Sequence, residues 1–479
     1  MSYIGNKRQV ALYDAYTQAQ IDGKLQNYVL KDDIGLVEQD IGDIGEPGTY
    51  GFGVGVYDSP GELVDFGLSP MIGVDSKTSE SYGNYVHSNG SIVVFVPKFY
   101  YRIGNSAHPN YDLFGSNSVE IRGTKYYSTE AEANADGFIL HRAFIDGGQE
   151  KKGFFYDKYM ASQSSSDPNV AVSVRYGVPI SLTATTSYTR SATMTGCDGA
   201  LYDAVTLSRA RGTGWNAKTL FMDSAIGLLG LAHAQHAQSS ATCAWFDPSY
   251  TTCYPKGCNS DQLGDSNDPE VAYVSAGDSG NASKPQTGSG EPFAKTTHNG
   301  QPCGIADVNG GLWEVAIGVT QPGGTATDYS TRDNTIYVLN ESETFADLTG
   351  GWNGSTDIWG DATHLNTKYT SVTAPINLSG QGGWIEWGNG SNPVFFTDQN
   401  GVNRALCGVV PPGDSSLSSG GINILGNDGV YRYTRDNLTV RSFGNWYDGP
   451  LAGLWARGFN LWRSGSIFAT CFRPALYVS

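Results

Sequence analysis

A chain of 479 residues is long enough for two or three domains, each with its own core. Its net charge of −17 sets it against nucleic acid and anionic membrane surfaces, because both would repel it. Glycine is abundant at 62 residues, aromatics reach 12% and charged residues only 16%, which excludes disorder and favours short strands, turns and ordered loops over helical bundles.

The opening MSYIGNKRQVALYDAYTQ has no apolar h-region, so no secretory signal is expected, and no window is apolar for the length of a membrane span. Ile21, Leu25 and Tyr28 recur at helical spacing on a segment too short to be stable alone. Two arrangements would satisfy it: a parallel coiled segment between copies, or one amphipathic helix lying on its own domain. Residues 40–71 are rich in Gly and Pro and read as a linker into an extended, turn-rich region. The GFGVGV within them (51–56) lacks the following helix of a dinucleotide site. SIVVFVPKFYYRIG, from Ser91, is a β run in which Pro97 marks an edge or bulge. FILHRAFIDGG (138–148) and KKGFFYDKYMAS (151–162) predict two more strands joined by a Gly-Gly turn. Residues 217–237 predict a helix, with Leu220, Ala225, Leu228, Leu229 and Ala232 along one face. Two polar insertions, near 239–300 and 321–380, precede a C-terminal part of short strands and turns.

Catalytic chemistry finds little support. His233 and His236 sit three apart on the predicted helix and would need Cys253, Cys258 or Asp247 to complete a zinc site; histidines at a helix C-terminus are also electrostatically ordinary, and the structural reading is preferred. Seven cysteines over this length fit mostly free thiols, with a local disulfide among Cys243, Cys253 and Cys258 as the alternative. Cys303 near His298 suggests a thiolate beside a base, but in a Gly/Asn/Pro turn where a buried thiol is equally ordinary. No catalytic residue, metal ligand or cofactor is assigned; the acidic charge leaves room for a cation such as calcium.

Two distant segments carry a resemblance. GIADVNGGLWEVAIG (304–318) and RSFGNWYDGPLAGLWARGFNLWRSGSIFATCFRPALYVS (441–479) are similar to the formylglycine-generating-enzyme branch of the C-type-lectin fold. Asp307, Gly310, Trp313 and Glu314 match its first motif; Arg441, Trp446, Ala452, Gly453, Phe472 and Arg473 match its second. Gly311 replaces the usual Asn and Cys471 the usual Gly. Past Cys303 only Cys407 and Cys471 remain, more than sixty residues apart, and Cys471 stands at the family's glycine position, which weighs against the oxidation chemistry of the enzyme members. A formylglycine-generating-type oxidase or a surface-glycan depolymerase is the alternative reading. YGNYVHSNGSIVVFVPKFYYRIG (82–104), HRAFIDGG, GFFYDKYM, LLGLAHAQ, GEPFAKTTHNGQPCG and the opening MSYIGN resemble phage tail-fibre and receptor-binding proteins that use this fold.

The resemblance implies an α+β chain, mostly β and loop. Residues 1–50 would form a tail-attachment and oligomerisation region, 51–180 a β-rich region, and 181–479 a C-type-lectin-like receptor-binding domain. It further implies a virion protein made in the host cytoplasm, a homotrimer that binds a host surface glycan or protein and other tail or baseplate proteins. In one branch of the family a retroelement diversifies this C-terminal stretch. Asp307, Gly310, Trp313, Glu314, Arg441, Trp446, Phe472 and Arg473 would hold the fold. The receptor-binding candidates are Tyr447, Asp448, Trp455, Arg457, Phe459, Asn460 and Trp462, with Trp455 nearest the core. Aromatic and arginine side chains concentrate binding energy. Alternation along GLWARGFNLW puts Trp455, Arg457, Phe459 and Leu461 on one strand face and Ala456, Gly458, Asn460 and Trp462 on the other, and one face must be core.

Overall fold

The computed structural model describes residues 42–189, 200–321, 335–345, 367–373, 382–387, 425–433 and 437–479. The helical segment expected in the first thirty residues, and much of the 321–380 insertion, lie outside the described residues. The fold is mostly β-sheet with few helices.

Two six-stranded sheets organise it. Their strands, in chain order, are β1 Leu68–Pro70, β2 Asn84–His87, β3 Ile92–Pro97, β4 Gly153–Asp157, β5 Asn216–Ala217, β6 Trp313–Ala316, β7 Trp384–Glu386, β8 Gly429–Arg432, β9 Leu438–Phe443, β10 Gly453–Trp462, β11 Thr470–Cys471 and β12 Pro474–Val478. The first sheet runs β1-β2-β3-β4-β12-β5 and is antiparallel throughout. The second runs β7-β8-β10-β9-β6-β11, parallel at β8–β10 and β6–β11 and antiparallel elsewhere.

The pairing corrects three expectations. Gly147 and Gly148 do make a turn, at φ +62° and +69°, but the hairpin joins only Ile145–Asp146 to Gln149–Glu150. The aromatic run that follows becomes β4, whose five residues are all buried and therefore need neighbours on both sides and cover on both faces. Pro97 ends an inner strand, opposite Gly153, instead of marking an edge; at a strand's last residue its missing N–H interrupts little of the ladder. No boundary falls at residue 180, because β4 lies between β3 and β12 and one apolar cluster extends from Ile44 to Ala475.

The predicted helix exists as α1, Leu220–His236, started by the Thr219 hydroxyl accepting from the Met222 amide at 3.1 Å. It is buried from Leu220 to Gln235, on all sides and not along one face only, as its nearly unbroken apolar sequence requires. Gly227 and Gly230 let β10 approach: a β-carbon at Gly227 would stand 2.7 Å from the Trp455 indole, and one at Gly230 would stand 2.4 Å from Leu454.

The histidines of α1 are structural. His233 accepts from the Gly48 amide at 3.1 Å through Nδ1, faces the Thr242 carbonyl at 2.9 Å through Nε2, and stacks on Phe52 at 5.3 Å. His236 meets the Ala232 carbonyl and packs 4.3 Å from His108. Among the described residues no group of three or more His, Cys, Asp or Glu could hold a metal ion, and no helix is long and apolar enough to cross a membrane. Burial pulls the His233 imidazole down to about 4. The unfolded chain therefore takes up this proton at higher pH than the folded one, and the His233 contribution to stability falls as pH drops from about 6.5 towards 4. His233→Asn keeps an acceptor for Gly48 without the titration. Its stability deficit against wild type is expected to narrow over that window, by up to the order of 3 kcal/mol. Urea titrations at both ends of the window read this, and a deficit independent of pH would contradict it.

A buried ionic group ties the two sheets together. Residues 472 and 473 carry the chain from β11 in one sheet to β12 in the other. Arg473 Nε donates to both Glu314 carboxylate oxygens, at 2.8 and 2.9 Å, and its other nitrogens donate to the carbonyls of Asp157, Lys158 and Ala306. Lys218 bridges Glu314 at 3.3 Å and Asp223 at 2.6 Å, and Asp223 accepts from Tyr156 and Ser442. Asp307 belongs to the same frame, accepting twice from the Gly288 amide at 2.9 Å. Gly310 has φ +90°, and a β-carbon there would stand 2.8 Å from the Cys258 carbonyl oxygen, so only glycine fits.

Candidate functional site

The strand β10 decides which side chains can meet a ligand. Its Trp455, Arg457, Phe459 and Leu461 point inwards and are at most 1% exposed. Trp455 lies against Gly227 of α1, and Arg457 donates to the Leu454 and Ala456 carbonyls at 3.0 Å. Trp455, Arg457 and Phe459 are therefore corrected: as core residues under the sheet they cannot touch a receptor. The opposite face carries Asn460, partly exposed, and Trp462, 43% exposed.

On that outer face the register aligns Trp384 of β7, Tyr431 of β8, Gly458 of β10 and Arg441 of β9 in one row across four strands. Large side chains flank a residue that has none, and the row opens into a pocket of about 320 Å³. Its walls are Trp313, Trp384, Tyr431, Arg441, Asn445, Tyr447, Asp448, Asn460 and Ile467. The volume falls at the lower end of the ~300–1,000 Å³ typical of small-ligand sites.

The aromatic wall is layered. Trp313 and Trp384 stack at 6.0 Å with 20° between planes, Tyr431 meets Trp384 edge-on at 5.4 Å, and the Arg441 guanidinium sits 5.0 Å from the Trp313 ring centre. Arg441 is fixed by Nη1 donating to Thr470 Oγ1 at 3.0 Å and Nη2 donating to Asn460 Oδ1 at 2.5 Å. Opposite it, the loop after β9 folds on itself. Asn445 N–H donates to Asp448 at 2.9 Å, and Tyr447 N–H donates to Asn445 Oδ1 at 2.9 Å. Burial pushes the Asp448 carboxyl up to about 6, opposed by the Asn445 amide, Arg441 and the Trp313 indole. Burial pulls Arg441 down to about 10. The pocket thus offers broad aromatic faces, one charge of each sign, and planar groups able to donate and accept.

Of the seven receptor-binding candidates, Tyr447, Asp448 and Asn460 line this pocket. Trp462 is exposed at the end of β10, opposite Leu438 and outside the lining. Trp446 is fully buried, and so are Phe472, Arg473 and Glu314. Trp313 and Arg441, which the resemblance makes fold residues, are walls of the pocket as well. Trp384, Tyr431, Asn445 and Ile467 were not foreseen. Only the tertiary pairing brings Trp384 and Tyr431 to Arg441, and nothing local in the sequence marks them.

The described cysteines are buried and free. Burial pushes the Cys471 thiol up to about 12 and raises Cys303 as well, and neither lines the pocket. Compared with known proteins, the chain matches no family model, and no curated protein shows significant similarity to it.

Proposed function

We propose that the chain is a phage tail-fibre or receptor-binding protein with a C-type-lectin-like fold of the formylglycine-generating-enzyme branch, and that this pocket meets the host receptor. One observation carries the reading. The two segments that bear the resemblance converge at the site, Trp313 from the first and Arg441, Tyr447, Asp448 and Asn460 from the second. The pocket's lining suits recognition, with aromatic area beside a few placed polar groups. The high, buried thiols of Cys303 and Cys471 speak for binding over thiol chemistry. In this reading the chain is a virion homotrimer joined to other tail proteins through its N-terminal region, and three weak sites on one fibre gain avidity without new contacts.

Adsorption competition tests it. Purified protein should block phage attachment, and a Tyr447→Ala/Trp384→Ala double variant should need at least about tenfold more protein for the same block. Light scattering should give three times the 51.2 kDa chain mass. Equal blocking by the double variant would remove the pocket from the mechanism. Oxidation of a thiol peptide, or cleavage of host polysaccharide, would replace binding with catalysis.

A further inference from the structure

The pocket's chemistry narrows the receptor group it takes. We propose that it holds an uncharged pyranose unit of a surface glycan; this rests on the receptor-binding reading and specifies its ligand.

Charge is the first argument. The two charged groups lining the pocket, Arg441 and Asp448, have opposite sign, so a net charge on the ligand would be attracted by one and repelled by the other. Thr470 and Asn460 each accept from one terminal nitrogen of the guanidinium and Trp313 lies against its face, while the buried Nε has no partner among the described residues and is left to donate to a single oxygen such as a sugar hydroxyl. A chain of net charge −17 further opposes the approach of a polyanion.

Shape is the second. Pyranose rings present an apolar C–H face and a rim of hydroxyls. The site matches both, with Trp384, Tyr431 and Tyr447 as flat apolar surfaces and Asn445, Asp448 and Asn460 as rim partners. Because Asn460 Oδ1 accepts from Arg441, the amide N–H₂ of Asn460 is left to donate to a hydroxyl. An apolar peptide side chain would bury these polar groups without partners, which is costly. The row beneath the walls is the third argument. Gly458 stands between Tyr431 and Arg441, and a β-carbon there would lie 3.4 Å from Arg441 Nε and Nη2, so a larger side chain would crowd two walls of the pocket. Beyond Tyr447 the aromatic surface continues to Phe468, 6.4 Å away, which stacks on Tyr188 at 4.7 Å and gives a ledge for a second sugar unit.

Saturation-transfer NMR and calorimetry of the full chain would use neutral di- and trisaccharides of hexose and N-acetylhexosamine beside their uronic-acid and sialylated counterparts. Neutral sugars should bind, and Trp384→Ala and Gly458→Leu should each weaken them about tenfold or more. Unchanged circular dichroism and urea midpoint in at least one of these variants ties the loss to the pocket; if neither variant folds, shifts of the Trp384 and Tyr447 ring resonances on adding sugar to the wild type decide. Preference for the acidic sugars, or binding that both folded variants retain, overturns the proposal. A parallel arm separates it from the broader reading. Cell binding lost on protease treatment but kept after periodate oxidation of surface glycans would leave a receptor-binding protein and refute the sugar. No cell binding at all would remove both.

Discussion

Arg473→Ala is expected to lower the unfolding free energy by about 3–5 kcal/mol, the cost of leaving a buried charge without its partner. Arg473 and Glu314 are both fully buried, and Arg473 binds the Glu314 carboxylate through two bonds while three backbone carbonyls take its remaining donors. Removing the guanidinium leaves Glu314 with Lys218 alone, which Asp223 already shares. It also orphans carbonyls at the seam between the sheets. Arg473→Lys should recover only part of the loss, because an ammonium cannot match the planar fork that both carboxylate oxygens accept from. Urea unfolding followed by tryptophan fluorescence measures this. A midpoint for Arg473→Ala within error of wild type would show that the seam is held by packing and not by charge.

Trp455→Ala should cost a similar amount, about 3–5 kcal/mol, for a different reason. The indole fills the space that Gly227 leaves beside α1, and truncation would open a cavity between helix and sheet. The reverse substitution makes the same argument. In an exposed helix Gly→Ala gains about 1 kcal/mol. Here Gly227→Ala should destabilise, since its methyl would press into the indole at 2.7 Å. If the proposed receptor-binding function holds, Trp455→Ala should therefore reduce adsorption only in proportion to the unfolded fraction, whereas Tyr447→Ala should reduce it with the fold intact. Loss of binding by a Trp455→Ala protein of wild-type stability would return this residue to the receptor face.

The contrast shows what the sequence could and could not disclose. Alternation along GLWARGFNLW set Asn460 and Trp462 apart from the buried Phe459 and Leu461, because strand periodicity is a local property, although every residue from Gly453 to Phe459 is buried. It could not say which face pointed out. That was decided by α1, which lies more than two hundred residues upstream and places two glycines against Leu454 and Trp455. The helix itself was legible from its spacing, while its burial on all sides depended on neighbours. β3 was legible as an apolar run; the partnership of β4 with β12 was not, since nothing near either strand encodes it. At the site, the motif residues Trp313 and Arg441 were visible as fold markers. Their second role emerged only when Trp384 and Tyr431 joined them across the sheet.

That same long-range pairing has a kinetic consequence. Arg473 donates to the carbonyl of Asp157 across 316 residues of sequence, and β12 enters the first sheet beside β4 over a comparable span. Contacts of such reach form late, because the intervening chain must surrender its freedom before the contact returns anything. Until β12 arrives, β4 is a bare edge of aromatic residues, Phe154, Phe155 and Tyr156, open to pairing with another chain. The hazard for this molecule lies in the interval before completion more than in the finished state, and it grows with the number of half-built copies present together.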